Sequence, residues 1–191
     1  MQITDPRALR ALAHPLRLDL VELLGTLGQA TAAVCARHLG TSQASCSFHL
    51  RQLAKYGFVE QAQPSEDARE RPWRLTDLEQ SWSADVGPAA DQLERVFVQR
   101  EADRILGWLA ADDAPEAWRK SSFVGGATVP VTVHELESIR AELRAALEPY
   151  VRRLADRSDW PTDARFVRIL LAGTPLDEPT DPIDERPEES V

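Results

Sequence analysis

Residues 42–60 read SQASCSFHLRQLAKYGFVE. One side of this stretch carries groups that donate, accept or hold positive charge: Gln43, Ser45, Ser47, Arg51 and Lys55. A glutamine amide donates and accepts at once, and guanidinium and ammonium groups bind oxyanions such as phosphate. The opposite side, Cys46, Leu50 and Leu53, is apolar at helical spacing, with His49 and Tyr56 at its margin. The stretch therefore reads as an amphipathic helix closed by Gly57 and followed by a strand. Its polar side is either built to lie against a polyanion or is the solvated face of a core helix. The elements that hold it decide between the two.

Upstream, TDPRALRAL opens a helix, with Thr4 or Asp5 as cap and Pro6 where the first N–H would be unpaired anyway. His14-Pro15 interrupts it, because a residue before proline avoids helical backbone. A second helix follows, with Leu16, Leu20, Leu23, Leu24 and Leu27 on one face and Gly25 or Gly28 at its end. TAAVCARHLG is a third, short helix, capped by Thr31 and stopped by Gly40. Ser42 then caps the fourth. A short helix, a tight turn and a second helix make a helix-turn-helix. After it, FVEQAQ and RPWRLT are extended and PSEDARE between them is turn-rich, a hairpin that makes a wing.

The rest of the chain is organised differently. Residues 77–88 read as a linker. A long helix is expected from about Ala89 to Ala111, and SSFVGGATVPVTV is strand-like. TVHELESIRAELRAALEPYVRRLAD is the clearest helix, with a Thr132/Glu135 capping box and a stripe of Leu136, Ile139, Leu143, Leu147, Tyr150, Val151 and Leu154. RFVRILLAG is a further strand, and the acidic, proline-rich end predicts disorder. The expected fold class is mainly α with a small β component (α+β). Its parts are a winged helix-turn-helix domain over 1–76, a linker over 77–88, a helix-strand-helix-strand domain over 89–175 and a disordered tail over 176–191. The two strands, near 121–131 and 165–173, could pair with each other or across a dimer. An apolar chamber between the two long helices could take a small organic effector.

The net charge of -9 argues at first against nucleic acid, but it is unevenly spread. Residues 1–75 carry 9 Arg/Lys and 7 Asp/Glu, a balance of +2; the remainder carries 13 and 24, a balance of -11. The front can approach a phosphate backbone while the rear stays acidic. No apolar run approaches a membrane span and no secretory signal opens the chain, so a cytoplasmic location is expected. Two lysines against many arginines suggest a GC-rich bacterial source. Cys35 and Cys46 form no Cys-x-x-Cys pair and read as reduced core residues. No two histidines have the i, i+4 spacing of a helical metal site, and no nucleophile elbow or phosphate-binding glycine loop is present. No enzyme activity and no cofactor are expected.

LRALAHPLRLDLVELLG, then QASCSFHLRQLAKYGFVE, then RPWRLT, in that order and spacing, resembles the winged helix-turn-helix module of ArsR-like bacterial transcriptional regulators over roughly residues 5–76. The resemblance implies a homodimeric, sequence-specific double-stranded DNA-binding protein, more often a repressor, with the fourth helix in the major groove and the wing on the flanking backbone. Small residues at the helix start, Ser42, Gln43, Ala44 and Ser45, let it approach closely. Gln43 suits a base edge, and Arg51 and Lys55 suit phosphates. Ser47, Phe48, His49 and Gln52 complete the helix's candidate set, and Arg69, Arg71 and Arg74 that of the wing. Phe48 departs from the pattern, since the family often has Arg or Lys there; it could meet a thymine methyl or pack against the wing or a partner. The Cys-x-Cys of metal-sensing members falls on Thr31 and Ala33, which cannot bind a soft metal. The expected dimer rests on apolar surface left by the first helix and the 89–111 helix. The alternative is a winged-helix interaction module that has lost DNA affinity, supported by the acidic rear and Phe48.

Overall fold

The computed structural model describes residues 1–63, 71–82, 86–154, 156, 158 and 160–177. It is mostly helical, with two small sheets. Short polar side chains and prolines set the helix starts. After β1 (Gln2–Ile3), the Asp5 carboxylate accepts from Arg7 N at 2.8 Å and begins α1 (Pro6–Leu12). The Nδ1 of His14 accepts from Leu16 N at 3.2 Å and begins α2 (Pro15–Leu27), which ends at Gly28. β2 (Gln29–Ala30) leads to α3 (Ala32–Leu39) and α4 (Gln43–Lys55).

The wing strands are β3 (Val59–Gln61) and β4 (Trp73–Leu75), antiparallel, with β2 on the far side of β4. The register sets Glu60 opposite Arg74. The stretch expected to be a linker contains β5 (Ser81–Trp82), which pairs in parallel with β1. α5 (Pro88–Ala110), α6 (Glu116–Ser121) and α7 (Val133–Arg152) complete the described elements.

One core serves α1 to α4, the sheet and the first turns of α5. Leu9, Leu12, Leu20, Leu24, Cys35, Cys46, Leu50, Leu53, Phe58 and Leu93 are all fully buried in it. Each such leucine contributes about 1.5–3 kcal/mol by leaving water. α1 spends its apolar side on this core: Ala8, Leu9, Ala11 and Leu12 are buried and only Arg7 and Arg10 of its middle face solvent. The expectation that α1 leaves apolar surface for a dimer is therefore wrong. α5 does leave some, at Val98, Leu106 and Leu109.

The strands expected near 121–131 and 165–173 do not form. Residue 121 closes α6, and 122–132 and 164–177 join no ladder. A strand needs a neighbouring backbone edge, and neither segment meets one among the described residues. Phe123, Val124, Phe166 and Val167 are left exposed. Of the tail expected to be disordered, all beyond residue 177 lies outside the described residues.

Ion pairs fix α5 against α2. Glu101 is only 1% exposed. Arg100 bonds it at 2.9 Å, and Arg168, from the segment after α7, reaches it at 3.1 Å. Arg100 also reaches Asp19 at 2.6 Å and Glu22 at 2.7 Å, and Arg104 holds Glu22 at 2.6 Å. Burial raises the Glu22 carboxyl, but the bonds from Arg104 and Arg100 outweigh this and hold it below its ordinary value. Replacing Arg100 with alanine leaves a buried carboxylate short of cations. Arg100→Ala should cost about 3 kcal/mol of stability, seen as a lower urea midpoint. An unchanged midpoint would show that the network contributes nothing.

Candidate nucleic-acid interface

The turn between α3 and α4 is built from local rules. Thr31 Oγ1 accepts from Val34 N at 3.3 Å and starts α3. Gly40 stops it at φ +61°, a left-handed conformation that glycine adopts without steric cost. Thr41 N then bonds Ala36 O at 3.1 Å. Ser42 Oγ accepts from Ser45 N at 3.1 Å and starts α4 two residues after α3's stop. Cys46, Leu50 and Leu53 anchor α4 in the core.

That anchoring turns the rest of α4 outward. Gln43, Ser47, Arg51 and Lys55 follow one another at four-residue spacing, with Ala44 and Phe48 alongside them. Ser42, Gln43, Ala44, Phe48, Arg51 and Lys55 are exposed and Ser47 is half-buried. Arg51 Nη1 donates to Ser47 Oγ at 2.7 Å, which orients the guanidinium along the face. Lys55 Nζ lies 5.7 Å from the Tyr56 ring centre. Phe48 is 51% exposed and meets the His49 ring edge-on at 5.2 Å.

Three residues of the predicted set fall outside this strip. Ser45, His49 and Gln52 lie half-buried at the margin of α4. His49 faces α2, its ring 4.4 Å from that of His14, and its buried Nδ1 has no hydrogen-bond partner among the described residues. On the wing, Arg71 is exposed. Arg74 is exposed too, but its guanidinium is engaged with Glu60 at 2.7 Å. Arg69 and the acidic residues of the wing tip, Glu66, Asp67 and Glu70, lie outside the described residues. Arg17, which the sequence reading passed over, sits beside the two histidines, and its buried Nε has no hydrogen-bond partner among the described residues. The His-Pro-Leu-Arg run was the signal that could have drawn attention to it. Among the described residues, no three His, Cys, Asp or Glu side chains gather where they could hold a metal ion.

A model of a helix-turn-helix domain matches residues 12–62. Those residues form a helix-turn-helix domain. The match covers about a quarter of the chain, from the end of α1 to just past β3. No curated protein matches the chain. Among solved structures, ZitR of Lactococcus lactis, wild type in complex with DNA, aligns at 19% identity, over 69% of this chain and 73% of that one, with a TM-score of 0.27. The adhesin competence repressor AdcR of Streptococcus pyogenes aligns at 17% identity, over 74% and 81%, with a TM-score of 0.30. Superpositions at such scores do not establish a shared overall fold. Among the described residues, no helix is long and apolar enough to cross a membrane.

The histidine pair should make the domain sensitive to acid. Burial holds both imidazoles below the ordinary histidine value; Arg17 adds to this at His14, with Asp19 opposing, and His14 and Arg17 add to it at His49. The folded state thus prefers both neutral. Their contribution is complete above the unfolded value, about 6.5, and is lost as pH falls through the lowered folded values. Stability should fall between pH 7.5 and pH 5, and His49→Gln should reduce that fall. Urea midpoints at the two pH values check this; an equal fall in the variant would remove His49 from the effect.

Proposed function

We propose that the protein is a sequence-specific, double-stranded DNA-binding transcriptional regulator of the ArsR-like kind, a homodimeric repressor acting in the cytoplasm, and not an enzyme. The observation that carries this reading is the exposed strip of α4, Gln43, Ser47, Arg51 and Lys55, presented by a helix whose other side is locked in the core. A major groove about 12 Å wide admits one helix. The small residues at the start of α4 allow close approach, and the Gln43 amide suits a base edge. Arg51 and Lys55, one turn apart and further along, suit phosphates. Two such helices, related by a two-fold axis, would read half-sites one helical turn apart.

The effector in this reading is a small organic molecule. A surface hollow of about 320 Å³ supports this part of the reading: it lies where the end of α5 meets α6 and the segment after it, and is lined by Trp108, Leu109, Phe123 and Val124, with Arg119 and Ser122 as polar groups. Binding there would act through the end of α5 on the spacing of the two reading heads.

A second reading, an interaction module that has lost DNA affinity, is favoured by the half-exposed Phe48 on the reading strip and by the -11 balance of residues 76–191. Salt separates the two, because neutralising phosphates releases counterions. Selection from random duplexes, followed by fluorescence anisotropy across salt concentrations, tests the proposal. Affinity should fall steeply with salt, and Arg51→Ala should lower the slope by about one. Gln43→Ala should cost about 1–3 kcal/mol on the selected site and little on random DNA. Equal losses on both duplexes would remove Gln43 from base reading. No salt-dependent binding at all would leave the interaction module standing.

A further inference from the structure

Among the described residues the half-buried arginines are Arg17, Arg100 and Arg104. Arg100 and Arg104 hold carboxylates. Arg17 holds none. Its guanidinium makes no hydrogen bond and no ion pair among the described residues, and its Nε is enclosed. Burial pushes Arg17 below its ordinary value, and the Tyr56 phenol opposes this. A cation drawn partly out of water costs free energy unless an anion meets it.

Two imidazoles stand beside this guanidinium. His14 caps α2 through Nδ1, which accepts from Leu16 N, so in the neutral ring Nε2 carries the proton. The His49 ring lies 4.4 Å away, and Arg17 acts on both rings electrostatically. The carboxylate that acts on His14, Asp19, is held by Arg100 at 2.6 Å. The seam between the start of α2 and the middle of α4 thus gathers one guanidinium and two imidazoles, and the acid that acts on them is already engaged. A guanidinium fork matches the oxygens of a phosphate, and imidazole N–H groups donate to the same oxygens.

The seam borders the outward strip of α4. His49 follows Phe48, whose half-exposed ring meets it edge-on at 5.2 Å. A helix lying in the major groove has a phosphate strand on each flank, and this seam is one flank of α4. We propose that the seam is a phosphate site, with the Arg17 guanidinium as its principal ligand and His14 and His49 beside it. The site deepens the proposed function and rests on it for the source of the phosphate, which there is the DNA backbone beside α4.

The test uses the full chain. In fluorescence anisotropy on random duplexes across salt concentrations, Arg17→Met should weaken binding about tenfold and lower the salt slope by about one. Arg17→Lys, which keeps the charge, should hold the slope. Without DNA, replacing chloride by inorganic phosphate at fixed pH and ionic strength should shift the imidazole NMR signals of His14 and His49 in the wild type and not in Arg17→Met. His38 and His134, exposed on α3 and α7, should stay in place and so exclude a general salt effect. The urea midpoint of Arg17→Met should hold or rise, because methionine keeps the apolar stem and removes a half-buried charge that has no counterion.

Either response, lost with the charge of Arg17, supports the site; the first names the DNA backbone as the source of the phosphate and the second a free phosphate. Neither response overturns it, and a midpoint that falls as well would assign Arg17 to holding the fold. Phosphate-dependent shifts without duplex binding keep the site and sink the proposed function. Duplex binding indifferent to Arg17, with no shifts, does the reverse.

Discussion

A carboxylate taken out of water must be surrounded by cations, and Glu101 meets this demand from two parts of the chain at once. Arg100 comes from its own helix and Arg168 from the segment beyond α7. Arg100 then extends to Asp19 and Glu22 of α2. These bonds are directional, so they set the rotation of α5 as well as its distance from α2. With that rotation set, Leu93 enters the core while Val98, Leu106 and Leu109 face outward. α2 in turn touches α4 through His14 and His49. The outward strip of α4, the axis of α5 and the chain after α7 are thus linked by contacts that can be named.

The helix-turn-helix was legible in the sequence because it is made of local rules. Asp5, Thr31 and Ser42 cap the helices expected of them. Gly40 takes the left-handed turn its position required, and the apolar spacing of Cys46, Leu50 and Leu53 predicted which side of α4 is buried. The polar strip follows from that spacing alone. His14 was read as a turn and capping residue, and it caps α2 with its own ring nitrogen.

What was less legible depends on distant partners. β1 and β5 are two residues each and pair across some eighty positions, too short for periodicity to show. The exclusion of His49 from the outward strip of α4 rests on its meeting with His14, thirty-five positions earlier, which no helix-wheel argument contains. Arg74 has the right charge for a wing, yet the register of β3 and β4 gives it Glu60. The expected strands of the rear half show the same limit from the other side. Alternation and β-branched residues were present, but a strand is a relation between two backbones, and neither segment found the second one among the described residues.

Cys35 and Cys46 sit on the two helices of the helix-turn-helix, both fully enclosed. Burial first, and then the neighbouring Cys46, push the Cys35 thiol up to about 11, and burial raises Cys46 as well. Only the thiolate attacks peroxide or a disulfide, and at neutral pH about one Cys35 in ten thousand carries that form. The two sulfurs act as small apolar spacers, and their burial and raised thiols make them poor targets for oxidants.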